Sequence, residues 1–330
     1  MFAMPRFWYQ PAWHPLTLIL SPFSWIFKCI VSLRRFSYQS GLLKQTAFGV
    51  PVIVVGNITV GGTGKTPFVI WLANMLRASG FRPGIVSRGY GGKRPPGPCR
   101  VSPQSSPDEV GDEALLLATH TLCPVIVDVN RVDAVRAILQ DGACDIVITD
   151  DGLQHYPLAR SIEIVIVDAA RRFGNRCVLP AGPLREPVER LSTVDFVVSN
   201  GVSDADGEWD MLLVAGELVS LVARQQVKLE AFKGQKVHAV AGIGNPERFF
   251  ATLRQAGLHV ISHAFPDHYV YCQQDLMFGD HYPIIMTEKD AVKCVAFADE
   301  RAWFLPVTAS LSEAFRQAIL SKLPNQRGDI

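Results

Sequence analysis

Residues 59–66 read TVGGTGKT, and no other stretch of the chain points so specifically to a chemistry. Gly61, Gly62 and Gly64 leave out the Cβ atoms that would keep a backbone away from phosphate oxygens. Lys65 would reach β- and γ-phosphates, and the Thr66 hydroxyl would face magnesium. Thr59 stands where G-x-x-x-x-G-K-T has its first glycine, so the pattern is strong in its second half and irregular in its first. With Thr63 these residues form a candidate nucleoside triphosphate cradle, and ATP with Mg2+ is the cofactor pair it implies.

Such a cradle expects carboxylates at the end of a neighbouring strand. Residues 144–155, CDIVITDDGLQH, place Asp150 and Asp151 just past a short β-branched run. Two adjacent carboxylates suit magnesium, held directly or through water. They equally suit an Asx turn closing the strand. Gln154 and His155 read either as phosphate or sugar contacts or as turn-stabilising groups. Further strand ends bring Arg88 and Tyr90, then Asn130 and Arg131, and a proline-stiffened loop carries Arg185 and Glu186. Several polar loops on one sheet edge make a candidate substrate cleft. Asp112 and Glu113 follow a capping-box pattern, Ser106 with Glu109. They either complement a helix dipole or supply a general base near the transferred phosphoryl group.

The elements that must hold these groups alternate in type. A run of β-branched residues at 52–55 leads through the glycines into an apolar helix, from about Lys65 to Gly80, with Pro67 in its first turn. Repeated strand–loop–helix units predict a parallel α/β sheet. From residue 211 the pattern changes to extended segments around a turn and then to a second, smaller set of strands and helices. The expected division is 1–38, 39–210 and 211–330: a membrane-associated segment, a core around the cradle, and a β linker with a smaller lobe. His259, His263, His268 and His281 crowd that lobe, but no cysteine partner or helical spacing supports zinc. A glycine turn at 242–245 fails the dinucleotide pattern, because Glu247 occupies its last glycine position. Residues 287–290, TEKD, follow a strand and border the expected nucleotide.

Residues 16–33, LTLILSPFSWIFKCIVSL, are followed at once by Arg34 and Arg35. Pro22 and Lys28 interrupt the run, and a charge at the bilayer centre costs about 3 kcal/mol on insertion scales. A segment lying in the interface, with aromatic rings at headgroup depth, accounts for more of its residues than a span does. No acid precedes Asp108, whereas twelve Lys or Arg do; the other 20 of the 32 bases face all 31 acids. The chain is therefore +12 before residue 108 and −11 after it, a surface suited to anions such as phosphate or acidic lipid. With 19% charged and 48% hydrophobic residues, a disordered or nucleic-acid-coating chain is excluded. Seven scattered cysteines without a C-x-x-C argue against a disulfide scaffold.

Taken in order, the motifs resemble those of the tetraacyldisaccharide 4′-kinases, over nearly the whole chain. They are GGTGKTP at 61–67, SRGYG at 87–91, GDE at 111–113, DDGLQH at 150–155, LPAGPLREP at 179–187, FPDH at 265–268 and TEKD at 287–290. The resemblance implies ATP- and magnesium-dependent phosphorylation of the 4′-hydroxyl of an acylated glucosamine disaccharide 1-phosphate. It implies a P-loop core, a smaller α/β lobe, and catalysis between the two. It also makes Asp112 a base paired with His268. Lys65 and Asp151 join them as catalytic residues, and Thr66, Asp150, Asp151 and Glu113 form the expected metal set. The expected partners are the lipid substrate and an anionic membrane surface, with no nucleic acid. The expected state is a monomer, monotopic or peripheral, on the cytoplasmic face of the inner membrane. A membrane-bound switch ATPase is the alternative; a switch GTPase would need an N-K-x-D motif that the sequence lacks.

Overall fold

Strands whose residues are apolar on both faces need cover on both sides, and VIVVG, PGIVS and IVIT are buried throughout. They form the centre of a nine-stranded sheet in the computed structural model, which describes residues 5–93, 96–140 and 142–324. The strands of this sheet are β1 (Val52–Gly56), β2 (Pro83–Ser87), β3 (Cys99–Val101), β4 (Val125–Val127), β5 (Ile146–Thr149), β6 (Ile162–Asp168), β7 (Phe196–Asn200) and β8 (Glu208–Ala215). A second sheet takes β9 (Leu218–Ser220), β10 (Gln226–Val227), β11 (Lys236–Ala241), β12 (His259–Ala264), β13 (Ile284–Thr287) and β14 (Ala302–Leu305). The chain then returns to the first sheet as β15 (Val307–Leu311).

The large sheet runs β15-β8-β7-β6-β1-β5-β2-β4-β3 and is parallel from β8 through β4, with antiparallel strands at its two edges. The small sheet runs β10-β9-β14-β13-β11-β12, with β14, β13, β11 and β12 parallel. Both sheets therefore point strand ends, and the loops that follow them, into ligand-bearing positions.

Helices α1 (Pro15–Gln39), α2 (Lys65–Ala78), α3 (Pro107–Val110), α4 (Asp112–Thr121), α5 (Arg131–Leu139), α6 (Pro246–Gln255), α7 (Glu288–Cys294) and α8 (Glu313–Ser321) cover them. On one face of the large sheet α2, α4 and α8 bury Phe68, Leu72, Leu76, Leu117 and Phe315. On the other, α5 buries Val135 and Ile138 beside Leu153 and Leu184.

Two details depart from the sequence reading. Residues 211–330 are not all linker and small lobe: β8 belongs to the large sheet. After β14 the chain comes back, pairing β15 with β8 and placing Phe315 and Ile319 in the large core. The two passages between sheets lie side by side, with the Gly216 amide donating to the Pro306 carbonyl at 2.9 Å. The second detail is that the expected helix after Ser106 is two helices. Gly111 breaks it with φ +88, and a Cβ there would come within 2.5 Å of the Tyr90 carbonyl oxygen.

The N-terminal helix α1 has a mean hydropathy of 1.8 over an 18-residue window and is long and apolar enough to cross a membrane. Only Thr17 and Ser24 are buried on it, while Trp13 and Trp25 are 74% and 71% exposed. Its middle is tied to the protein body: Ser24 Oγ donates to the Val178 carbonyl at 2.8 Å and accepts from the Ala181 amide at 2.9 Å. Trp8 Nε1 donates to the Pro180 carbonyl at 3.0 Å.

Candidate active site

Beyond β1 the chain turns through the glycines into α2, with Gly64 as left-handed N-cap at φ +90. The turn is braced by two asparagines. Asn57 Nδ2 donates to the Gly61 carbonyl and to Thr63 Oγ1, both at 3.3 Å, and Asn200 Nδ2 donates to the Thr63 carbonyl at 2.9 Å. Thr59 is not in a left-handed conformation; it forms a bridge to Leu184, and the Val60 amide donates to the Pro183 carbonyl at 2.9 Å. The irregular half of the motif is thus a short β pairing, where a glycine has no special use.

At the next strand end Lys65 Nζ lies 3.4 Å from Asp151 Oδ1, and Arg185 Nη1 lies 3.2 Å from both Asp151 oxygens. Burial alone would raise the Asp151 carboxyl, but Lys65 and Arg185 hold it well below the usual carboxylate range. Asp151 adopts φ +49, an uncommon backbone for a residue with a Cβ. Asp150 differs. It is fully buried, Ser87 Oγ reaches its Oδ2 at 3.4 Å, and its Oδ1 has no hydrogen-bond partner. Burial, with the charge of Glu113, pushes its pKa up to about 7.

The Gly111 break makes Asp112 the first residue of α4, aimed across the cleft. Its Oδ2 lies 3.2 Å from His268 Nδ1 and 3.6 Å from Lys293 Nζ, while its Oδ1 accepts the Glu113 amide at 2.8 Å. Burial would raise Asp112, yet the His268 hydrogen bond and the charge of Lys289 bring it down to about 2. Lys289 Nζ lies 3.0 Å from Glu113 Oε1 and from Asp267 Oδ1, and 3.4 Å from His268 Nε2. Burial would lower Lys289, but Glu113, Asp112 and Asp267 raise it above its ordinary value. The Tyr90 ring rests 4.7 Å from the His268 ring. His268 also has a left-handed backbone, φ +59.

Lys65, Thr66, Asp150, Asp151 and Arg185 thus stand at one cleft edge, with Asp112, Glu113, His268 and Tyr90 in the same interlobe region. Arg131 is buried beneath them and donates from Nη2 to the Asp151 carbonyl at 3.2 Å; burial lowers it to about 10. Arg88 lies near enough for its charge to act on both Arg131 and His155. His155 keeps a buried Nε2 without a partner, and burial with the charge of Arg131 lowers it to about 4.

Three expected substrate contacts are otherwise engaged. Glu186 is 1% exposed and accepts from Tyr156 Oη at 2.5 Å and Gln154 Nε2 at 2.7 Å, with Arg190 Nε at 3.3 Å. Its loop folds inward because those partners satisfy a buried charge. Gln154 is occupied by that carboxylate and by the Asn57 carbonyl at 3.1 Å. Asn130 is the N-cap of α5, accepting the Val132 amide at 3.1 Å.

The expected four-residue metal set is not a ready cage. Asp151 is taken by Lys65 and Arg185 and Glu113 by Lys289, and among the described residues no three acidic, histidine or cysteine side chains converge on one point. The residues left over nevertheless fit a divalent cation. Asp150 has a bare buried oxygen and too little positive charge around it, and magnesium in phosphate sites needs few protein ligands.

Sequence reasoning missed Asn57, Asn200, Arg171, Asp267 and Lys293. Asn200 ends a strand on the ligand-bearing edge, and Asn57 follows directly on the end of β1.

A family model described as tetraacyldisaccharide-1-P 4′-kinase matches residues 16–324. A tetraacyldisaccharide 4′-kinase of Methylobacillus flagellatus is 51% identical over 321 residues, covering 96% of each chain. One from Nitrosococcus oceani is 48% identical over 318 residues, covering 96% of this chain and 93% of its own. The crystal structure of an LpxK from Aquifex aeolicus in complex with ATP shares the fold with a TM-score of 0.78 at 29% identity, covering 94% of this chain and all of that one. Cradle, acidic edge and interlobe pair thus sit in a chain that aligns almost end to end with these proteins, and it belongs to the tetraacyldisaccharide-1-P 4′-kinase family.

Proposed function

We propose that this lipid-sugar kinase moves the γ-phosphoryl group of ATP to the 4′-hydroxyl of a tetraacylated glucosamine disaccharide 1-phosphate, with Asp112 as the proton acceptor. The observation that carries the assignment is the Asp112–His268 pair, built from both lobes at 3.2 Å. With Asp112 ionised, His268 donates from Nδ1 and fixes the carboxylate's orientation. The acceptor oxygen bonds to phosphorus as the bond to the β–γ bridging oxygen breaks, its proton passes to Asp112, and ADP leaves. Lys65 offsets charge on the phosphates. Magnesium, held by the Thr66 hydroxyl and Asp150 together with the phosphates, would supply further charge neutralisation.

The exposed apolar side of α1 suits the cytoplasmic face of a membrane, lying in the interface rather than across it. A spanning α1 would draw the loop bound to Ser24 into hydrocarbon, where its polar backbone has no water. Lys28, Arg34 and Arg35 lie on or beside the apolar run and suit acidic headgroups. One chain contributes both members of the pair, so a monomer suffices.

The test is transfer of label from γ-32P-ATP to the purified disaccharide lipid in detergent micelles. Label should appear in the lipid, and Lys65→Ala should lower turnover by about a hundredfold or more. Label found only as free phosphate would replace this reading with a hydrolysing switch.

A further inference from the structure

Arg171 lies one turn past the end of β6. Asp168 fixes it: the carboxylate accepts the Ala170 and Arg171 amides at 3.1 and 2.9 Å through Oδ1, and Arg171 Nε and Nη2 at 3.2 and 3.1 Å through Oδ2. Held this way, the guanidinium bridges the lobes. Nη1 donates to the Gly244 carbonyl at 2.9 Å, and Nη2 donates to the Gly62 carbonyl. Gly62 belongs to the phosphate cradle, and Gly244 to the turn after β11 in the small lobe. The two backbones touch there, because a Cβ added to Gly244 would come within 2.3 Å of the Gly62 nitrogen.

The turn at 242–245 lies against the loop that carries His268, where a Cβ on Gly242 would come within 3.2 Å of the Pro266 carbonyl oxygen. Both leave the same edge of the small sheet, from adjacent parallel strands. The Phe265 amide donates to the Ala241 carbonyl at 2.9 Å, and the Gly242 amide donates to Asp290 Oδ2 at 2.8 Å. A change in how the turn seats on the cradle is therefore a change in where His268 meets Asp112.

We propose that Arg171 is a positioning residue that clamps the small-lobe glycine turn onto the phosphate cradle and so sets the Asp112–His268 geometry. One planar cation with several diverging donors can serve a carboxylate and two carbonyls together. A lysine ammonium cannot reproduce that fork. This inference rests on the kinase reading.

The experiment uses full-length protein in micelles with the disaccharide lipid, comparing Arg171→Ala, Arg171→Lys and Gly244→Ala in wild-type and His268→Ala backgrounds. Gly244 is not in a left-handed conformation, so its alanine variant strains the contact with the cradle backbone at Gly61 and Gly62 rather than its own φ. It breaks the seat from the opposite lobe should Arg171 variants fail to fold. In the wild-type background all three should lower kcat by about tenfold, with KM for ATP held within about twofold. In the His268→Ala background each should lower kcat by no more than about twofold, since there is no longer a pair to position. Equal losses in both backgrounds would overturn the proposal. So would a raised KM for ATP with kcat unchanged, which would make Arg171 a phosphate contact. A wild-type protein that transfers no label to lipid would instead be a failure of the kinase reading.

Discussion

Two histidines of the small lobe pair with carboxylates in similar geometry and unlike surroundings. His268 Nδ1 lies 3.2 Å from Asp112, a residue of the other lobe. His238 Nε2 lies 2.9 Å from Asp280 and its Nδ1 lies 2.8 Å from His263, all within one lobe. His238 is buried in the body of β11 and stacked on Phe278 with ring centroids 3.9 Å apart. His268 sits in a loop beyond the carboxyl edge of β12, with a left-handed backbone and a tyrosine ring as its neighbour. The contrast teaches that residue type and distance do not by themselves mark chemistry. What separates the two pairs is place: one lies inside a strand of one lobe, the other beyond a strand end, between the lobes.

The sharpest way to break the comparison is to remove each pair and ask what is lost. Asp112→Ala should lower kcat by about a hundredfold to ten-thousandfold, the range for a general base, in protein that is still folded at the assay temperature. A kinetic assay beside a thermal melt decides it, and near-normal turnover would put Asp112 among the structural acids. His268→Ala should lower kcat by a smaller factor, about tenfold to a hundredfold, because the base itself remains. His238→Ala should do the reverse: stability falls by about 2–3 kcal/mol through the cavity left against Phe278, while kcat stays within about twofold. Urea titration with activity measured below the transition would show whether the two pairs differ as described.

A third histidine sharpens the comparison at the weak end. His120 of α4 and Glu288 of α7 meet across the lobes, Nε2 to Oε1 at 2.8 Å. That hydrogen bond to Glu288 raises the His120 pKa above the ordinary 6.5, against the lowering effect of burial. A raised histidine stabilises the fold fully below pH 6.5, and the contribution fades as pH climbs through the higher folded value. The side chain is 36% exposed, so after solvent screening the effect is about 0.5 kcal/mol or less. His120→Gln should therefore lower the melting temperature slightly at pH 6 and not at pH 9; an equal loss at both would remove the charge from the explanation.

Much of this was legible in the amino-acid sequence because it is local. Val52–Gly56 is apolar throughout since both its faces are covered, and the glycines before Lys65 announce the cradle by spacing alone. The Asp112–His268 pair was reached through resemblance, as 156 residues separate its members. The inward turn of Glu186 was not legible because its partners Tyr156 and Gln154 are about thirty residues away, and nothing in LREP shows it. Asn130 was a cap that its neighbours could have revealed, with Asp133 three positions on. The return of residues 307–311 to the large sheet left no trace in VTASL, a five-residue run whose pattern fits the edge of either sheet.

That return has a consequence for how the protein is made. Phe315 and Ile319 complete the core around α2, yet they lie near the end of the described chain, while α1 precedes every strand of both sheets. The apolar helix can form while the large sheet still lacks an edge strand and a covering helix. Final closure of that sheet must wait until residues 307–321 have been synthesised, with the small lobe already threaded into its middle.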